Sequence, residues 1–537
     1  MSSSGFNLEE YRIPLTEINR ATENFNSETL VGDGGFGMVY RGQLSKDWRH
    51  RLVAVKRLDR NGYQGNKEFL NELNLVASFD HSNIIRFVGY CDDENEKIIV
   101  CAYATNGSLD YHLQNPNMRR RLTWEQRLKI CLGAARGIEY LHSGRVCSEV
   151  IHRDMKSANI LLDDNMDAKI CDFGLSRLDS TNQSDNGVLT KVAGTRFYMD
   201  PVYNERSRLT KESDIYSFGV VMFEMSSGMM AYIPSRIEDS KGRYLIDIVR
   251  SYYDDHKFVD KLIDPAIKVQ IDMSSFDKFN KIAHECISLD ISKRPRIDKL
   301  ITTIEEALNI QADSVWESLL PPGYREVIAR AVSQLVFVSK KQLYLSLSNS
   351  HILLDGGYLS FQIDKISGKK CYMLGAKGLS IEWQDDKRYW KWEHIPESRF
   401  AEVCTVIEVT WLAIHGTISV GMLSRNCTYV AYLVFRTTGE SKGLDVPAEA
   451  KVTFCGTKMV TENVYLQRPE APGGTQHVPD QQEKNVFPRR RNDGWMEIEL
   501  GEFKCIEGDD GEVEMTFDEH KSYKKGLIVE GIELRPK

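Results

Sequence analysis

At 537 residues the chain is longer than one ordinary hydrophobic core organises, so two or more domains are expected. With 42% apolar and 27% charged residues each domain should fold, and a formal charge of −8 gives no general attraction to nucleic acid or to anionic membranes. Eleven cysteines, odd in number and without a CxxC pair, fit reduced thiols better than a disulfide framework or a zinc site. The expected compartment is therefore the cytoplasm, with the nucleus and the periphery of the plasma membrane left open.

The N-terminus, Met1-Ser2-Ser3-Ser4-Gly5, has no basic region followed by an apolar stretch, and Ser2 stands where N-myristoylation needs glycine. Neither secretion nor that anchor is expected. Val31-Gly32-Asp33-Gly34-Gly35-Phe36-Gly37-Met38-Val39 is a GxGxxGxV stretch whose glycines let backbone amides approach phosphate oxygens. Alone it reads equally as a glycine-rich hairpin turn. Lys56 ends the β-type run Val53-Ala54-Val55-Lys56, and Glu72 lies sixteen residues on, in the helical pattern of Asn66 to Ala77. That spacing lets the pair meet beneath the glycine loop, although each in isolation would be an ordinary surface charge. From Trp124 to His142 the residues Leu128, Cys131, Leu132, Ala135, Ile138 and Leu141 recur at helical spacing.

The decisive segment is Ile151-His152-Arg153-Asp154-Met155-Lys156-Ser157-Ala158-Asn159, followed by Cys171-Asp172-Phe173-Gly174. It resembles the protein kinase signature, which implies Mg-ATP as cofactor and a protein hydroxyl as acceptor. By that resemblance Asp154 takes the acceptor's proton, Lys156 steadies the transferring phosphoryl group, and Lys56, held by Glu72, pairs the α and β phosphates. Asn159 and Asp172 bring oxygens to Mg²⁺, a hard cation. The nucleotide would be held by Gly32, Asp33, Gly34, Gly35, Phe36, Gly37, Val39, Ala54, Ala102 and Ala104.

Residues 24–308 resemble a plant receptor-like kinase domain of the malectin-receptor group, through Ala21-Thr22-Glu23-Asn24-Phe25 and Leu209 to Gly219. Lys156 and Gly194-Thr195 imply Ser/Thr specificity, and Asp214 anchors the catalytic loop in that family. Arg153 before Asp154 implies control by activation-loop phosphorylation. Thr190 is the first candidate, with Thr195, Ser180, Thr181 and Ser184 as competitors. Two departures stand out. The family's Asp-Pro-Glu, whose glutamate pairs a buried arginine (here Arg294), reads Asp200-Pro201-Val202. Either Arg294 finds another acid or the activation segment is looser, in which case a weakly active or inactive kinase-fold scaffold is the alternative reading. In the hinge the family's Tyr-Glu pair is Cys101-Ala102, which alters pocket shape rather than abolishing ATP binding.

After residue 308, a flanking turn Pro321-Pro322-Gly323 and partly helical segments suggest a structured connector over 309–350, with 1–23 as an N-terminal flank. From 351 to 537 short alternating segments dominate. Met496, Ile498 and Leu500 alternate with glutamates, Tyr429 to Phe435 reads as a buried strand, and Val409 to Ser424 is too short and polar to cross a bilayer. No stable membrane insertion is expected. The fold class is thus multidomain: an α+β bilobal kinase followed by an antiparallel β-sandwich. Arg489 to Arg491 reads as a solvated loop, and Pro469 to Glu483 as a surface loop. Ser367 to Leu374, Leu379 to Trp383, Tyr389 to Trp392, Glu397 to Phe400, Asp493 to Phe503 and Gly531 to Pro536 resemble the phloem protein 2 family of plant lectins. The connector resembles the segment after the F-box in F-box-linked relatives, but the F-box is absent. The family binds N-acetylglucosamine-type glycans, and Trp383 and Trp390 match tryptophans associated with that binding. Core residues of a sandwich that binds protein, or nothing, are the competing reading.

Overall fold

The computed structural model describes residues 7–34, 37–48, 51–58, 65–93, 96–145, 148–179, 187–233, 244–254, 262–454, 456–469 and 485–537. Contacts divide the chain into two compact units, 1–312 and 313–537. The first matches the expected α+β kinase class and the second the expected β-sandwich.

The first unit opens with helix α1 (Leu15–Ala21) and an antiparallel sheet of β1 (Leu30–Gly34), β2 (Gly37–Gln43), β3 (Leu52–Leu58), β4 (Phe87–Cys91) and β5 (Ile98–Ala102). Their order is β1-β2-β3-β5-β4. Residues expected as a flank belong to this layer. Ile13 and Ile18 are buried with Val53, Val55, Val88 and Val100, and the Ile13 amide donates to the Tyr90 carbonyl at 2.7 Å. A Cβ on Gly89 would lie 2.5 Å from the Tyr11 carbonyl oxygen, so the strap can cross there only because Gly89 has none.

Helix α2 (Gly65–Val76) follows β3, and α3 (Leu109–Gln114), α4 (Pro116–Arg121), α5 (Trp124–His142), α6 (Pro201–Arg206) and α7 (Lys211–Ser227) build the helical part. The periodic apolar residues of α5 are buried as its pattern requires, and Thr123 with Gln126 closes its start as a capping box. Ser213 to Ser227 in α7 are all buried. A helix covered on every side makes a rigid post, and it carries Asp214 to the catalytic loop.

In the second unit a nine-stranded and a five-stranded sheet enclose one core. The longest strand, Cys427–Lys442, pairs with both Met496–Cys505 and Lys525–Pro536. Ile498 and Leu500 point inward while Glu497 and Glu499 are half-exposed, the alternation expected of a half-buried strand. The stretch read as a connector is largely not one. Helix Ile297–Leu319 runs through residue 309 without a break. Helices Tyr324–Ala329 and Lys340–Asn349 bury Tyr324, Val327, Leu343 and Leu347 in the sandwich core. Of the Pro469–Glu483 loop only Pro469 lies within the described residues.

Candidate active site and the second-unit surface

Cross-strand pairing places Lys56 on β3 opposite Val39 and Ile99. Its Nζ donates to Glu72 Oε2 and to Asp172 Oδ1, both at 2.7 Å. Burial works against the Lys56 charge, but the two carboxylates outweigh it and hold the ammonium above the ordinary lysine range. Burial likewise opposes ionisation of Asp172, and Lys56 overcomes it, keeping this carboxylate below its usual value. Phe173 is fully buried, edge-on to Phe79 with centroids 4.9 Å apart and to His152 at 5.2 Å. Arg153 and Asp172 have φ of 74° and 68°. Left-handed backbone at non-glycine residues costs of order 1–3 kcal/mol each and persists where surrounding structure enforces it.

At Arg153 that enforcement comes from Asp214. Its Oδ2 accepts the His152 amide at 2.8 Å and Nε2 of His142 at 2.8 Å, and its Oδ1 accepts the Arg153 amide at 2.8 Å. Asp154 is consequently fixed. Its Oδ1 accepts the Thr195 amide at 2.7 Å, and its Oδ2 accepts Lys156 Nζ at 2.8 Å and Asn159 Nδ2 at 3.3 Å. Asn159 Nδ2 also donates to the Asp154 carbonyl at 2.8 Å, which leaves Asn159 Oδ1 without a protein donor among the described residues. Lys156 Nζ reaches Thr195 Oγ1 at 3.0 Å, so Thr195 is a member of this cluster. A phosphate on it would occupy the space beside Lys156.

Gly32, Asp33 and Gly34 lie on β1, and Gly37 and Val39 on β2, while Gly35 and Phe36 lie outside the described residues. Gly37 has φ of 135°, and a Cβ there would stand 2.2 Å from the Arg57 carbonyl oxygen. Ala54 pairs with Cys101 across β3 and β5. Just beyond β5, the Ala104 amide donates to no backbone acceptor among the described residues, a free donor at the hinge; the Ala102 amide is taken by the Arg86 carbonyl at 2.8 Å.

Arg153 donates to the Tyr203 hydroxyl at 2.9 and 2.7 Å, to the Lys191 carbonyl, and at 3.4 Å to the Leu175 carbonyl and Thr190 Oγ1. All are neutral acceptors. Ser180, Thr181 and Ser184 lie outside the described residues. Arg294 does find another acid. Its Nη1 and Nη2 bind Asp200 Oδ2 and Oδ1 at 2.7 and 2.8 Å, a two-point fork, and its Nε donates to the Ser288 carbonyl at 2.9 Å. Asp200 also caps α6 by accepting the Val202 amide at 3.0 Å. Val202 therefore leaves no orphaned guanidinium behind it.

In the second unit the charged motif residues meet one another. Glu533 accepts Arg399 Nη1 at 2.9 Å and Arg491 Nη1 at 2.6 Å, and Glu497 accepts Arg491 Nη1 at 3.0 Å and Arg535 Nη2 at 2.7 Å. Arg491 is thus drawn inward from the run expected to be a solvated loop; Arg489 and Arg490 alone are exposed. Trp390 is 2% exposed, and its indole nitrogen donates to the Glu382 carbonyl at 3.0 Å. It is a core residue and has no free face for a sugar ring. Trp383 is 45% and Trp411 50% exposed, with centroids 6.2 Å apart. Tyr389 lies 5.5 Å from Trp383, and His520 4.7 Å from Trp411.

The family model of protein tyrosine and serine/threonine kinases matches residues 25–304. The chain belongs to the protein kinase family. Residues 369–536 match the phloem protein 2 model. The probable receptor-like protein kinase At5g38990 of Arabidopsis thaliana is 40% identical over 304 residues, 56% of this chain but 34% of that relative. The probable serine/threonine-protein kinases PBL11 and PBL23 of the same plant are 37% and 36% identical, over 57% and 56% of this chain and 79% and 76% of their own lengths. The chain thus spans about a third of the receptor-like relative it matches. No helix among the described residues is long and apolar enough to cross a membrane.

In this kinase, the resemblance to the kinase signature singled out Lys56, Glu72, Asp154, Asn159 and Asp172, and the fold brings Lys56 to Glu72 and Asp172 and Asp154 to Asn159. Sequence alone missed Asp200 as the partner of Arg294 and Tyr203 as the principal partner of Arg153, because those pairs join residues 94 and 50 positions apart. It also missed Trp411 and His520. The signal available was a large aromatic, Trp411, immediately before the alternating strand Leu412–Ser419.

Proposed function

We propose that this chain is a protein serine/threonine kinase that transfers the γ-phosphate of ATP to protein hydroxyls, with residues 24–308 carrying catalysis. The observation that carries the reading is the geometry at Asp154: both carboxylate oxygens are oriented by protein donors, while its neighbour Lys156 is held within reach of the same point. Asp154 accepts the acceptor hydroxyl's proton, and Lys156 balances charge on the phosphoryl group as it moves. Lys56, fixed by Glu72, pairs the α and β phosphates, and the free Ala104 amide serves adenine. Bound Mg²⁺ supplies charge neutralisation on the phosphates. Asn159 Oδ1 and the Asp172 carboxylate suit it, since both are hard oxygens and the former has no competing donor among the described residues.

Arg153, which has no acidic partner among the described residues, supports control by phosphate on Thr190, whose hydroxyl is 3.4 Å away. The two-point Arg294–Asp200 pair removes the motive for an inactive scaffold. Kinship to the malectin-receptor group and a cytoplasmic location are part of the same reading. For residues 313–537 we infer a recognition role, with Trp383 in an exposed aromatic cluster offering a stacking face to an N-acetylglucosamine-type glycan or a protein ligand. Transfer of radiolabelled phosphate from Mg-ATP to a generic protein substrate tests the first part. Asp154→Asn should lower it by about 10²–10⁴-fold, and equal labelling by both proteins would refute the assignment. A glycan array read with Trp383→Ala beside the native chain tests the second, and unchanged signals would reject the aromatic face.

A further inference from the structure

The strained backbone at Asp172, φ 68°, calls for a restraint of its own, and helix α2 supplies one. Asn71, immediately before Glu72, directs its side-chain Nδ2 to three carbonyl oxygens: Phe173 at 3.2 Å, Gly174 at 3.2 Å and Ser176 at 3.1 Å. A carbonyl only accepts, so three of them converging on one point require the amide nitrogen there, its two hydrogens shared among them. Remove that donor and three carbonyl dipoles face one another in a half-buried space, a cost relieved only if the turn opens.

Successive helical residues point about 100° apart, so Asn71 and Glu72 reach different parts of one segment. Glu72 holds Lys56 at 2.7 Å, and the Phe173 N–H favours the charged form of its carboxylate. The carbonyl of the same Phe173 goes to Asn71. It also accepts the Ser176 amide at 3.0 Å, which closes the turn. Two consecutive side chains of α2 thus grip the peptide groups of the residue directly after Asp172. Asparagine is a weak helix former, yet Asn71 sits in the middle of α2. What it contributes lies outside the helix, in bonds to a segment 102–105 residues further on.

We propose that Asn71 is a positioning residue for phosphoryl transfer: it ties α2 to the backbone that follows Asp172, and so keeps the Asp172 carboxylate on Lys56 and available to Mg²⁺. The inference rests on the Mg-ATP reading of the same cleft. It goes beyond that reading in naming what aims the metal-binding carboxylate. Groups that orient a metal ligand without touching the metal are worth about 10–100-fold in metal affinity.

The test compares the full native chain with Asn71→Leu, Asn71→Ser and, as a control for the helix itself, the exposed Asn74→Leu. Calorimetry follows ADP binding across a Mg²⁺ titration, and hydrogen exchange over residues 173–176 is measured without metal or nucleotide. Asn71→Leu should raise the half-saturating Mg²⁺ concentration by about tenfold or more and leave metal-free ADP affinity within about threefold. Exchange over 173–176 should be about tenfold faster. Asn71→Ser, with one shorter donor, should fall between, and it decides the matter if the leucine variant fails to fold. Asn74→Leu should match the native chain. A half-saturating Mg²⁺ concentration unmoved by either Asn71 substitution, even with a lowered melting temperature, would make Asn71 a structural clasp and overturn the inference, with the kinase reading intact. An equal shift in Asn74→Leu would do the same. A native chain that binds no ADP at any Mg²⁺ concentration would overturn both.

Discussion

The two units each hold a buried charge network, and the networks differ in what they leave over. Around Lys56 one cation faces two carboxylates at the rim of a cleft, and the neighbouring Asn159 Oδ1 has no protein donor among the described residues. Around Glu533 and Glu497, three arginines and two glutamates answer one another within the sheet. The first network keeps unspent bonding capacity for something that arrives. The second uses its capacity on the fold itself. Sequence motifs of comparable clarity thus mark a reaction centre in one unit and a brace in the other.

Substitutions should separate the two. Asp172→Asn should reduce phosphate transfer by about 10²–10³-fold with little change in melting temperature. Arg491→Ala should do the reverse, costing on the order of 1–3 kcal/mol by removing charge-assisted hydrogen bonds from buried Glu533 and partly buried Glu497, which keep Arg399 and Arg535 as partners, while phosphate transfer continues; denaturant unfolding followed by tryptophan fluorescence reads it. Loss of transfer in Arg491→Ala without loss of stability would erase the contrast.

Asp200→Ala should exceed that cost in the first unit, at on the order of 3–5 kcal/mol, since it strands Arg294 and uncaps α6. Val202→Glu should bring no gain in activity, because the guanidinium it would serve is already forked to Asp200. A clear rise in transfer by Val202→Glu would show that the Asp200 pair is the weaker arrangement.

Glu224 gives a pH-dependent comparison. Burial pushes its carboxyl up to about 7 from the ordinary 4.5, while it accepts from the Tyr198 hydroxyl at 2.7 Å and the Ala231 amide at 2.8 Å. The folded chain keeps a proton that the unfolded chain releases, so this group's contribution is greatest below pH 4.5, declines as pH rises toward 7, and is level above it. Relative to the native chain, Glu224→Gln should therefore gain about 3 kcal/mol of stability between pH 5 and pH 8. Parallel unfolding curves at the two pH values would contradict the sign.

The two tryptophans should differ most in stability, and the exposed one gives the smallest effect. Trp390→Ala should cost about 3–5 kcal/mol as a core cavity, whereas Trp383→Ala should stay within about 0.5 kcal/mol and act on ligand capture alone.

What could be read in advance followed from how local each constraint is. The glycine loop, the catalytic loop and Asp172 are each set by a few adjacent residues whose chemistry permits little substitution, so their spacing announces the cleft. Asp200 was hidden because its partner lies 94 residues away and a glutamate two positions later was the expected acid. Trp383 and Trp390 looked equivalent, since alternation shows which residues share a strand face but not which face the second sheet covers. The connector was misjudged for a related reason. Leu343 and Leu347, four apart, already announce a helix with one apolar side, yet the surface that buries it belongs to strands far along the chain.

The strap before β1 has a practical edge. The β4 strand ends the first unit's sheet, and residues 12–13 run beside it, with Arg12 bridged to Tyr90 in parallel and Ile13 donating to the Tyr90 carbonyl. A chain shortened to begin at residue 24 would bare that strand's hydrogen-bonding edge together with the apolar groove that holds Ile13 and Ile18. An uncovered edge of this kind is a template for self-association, so such a fragment should aggregate even though every residue of the cleft is still present.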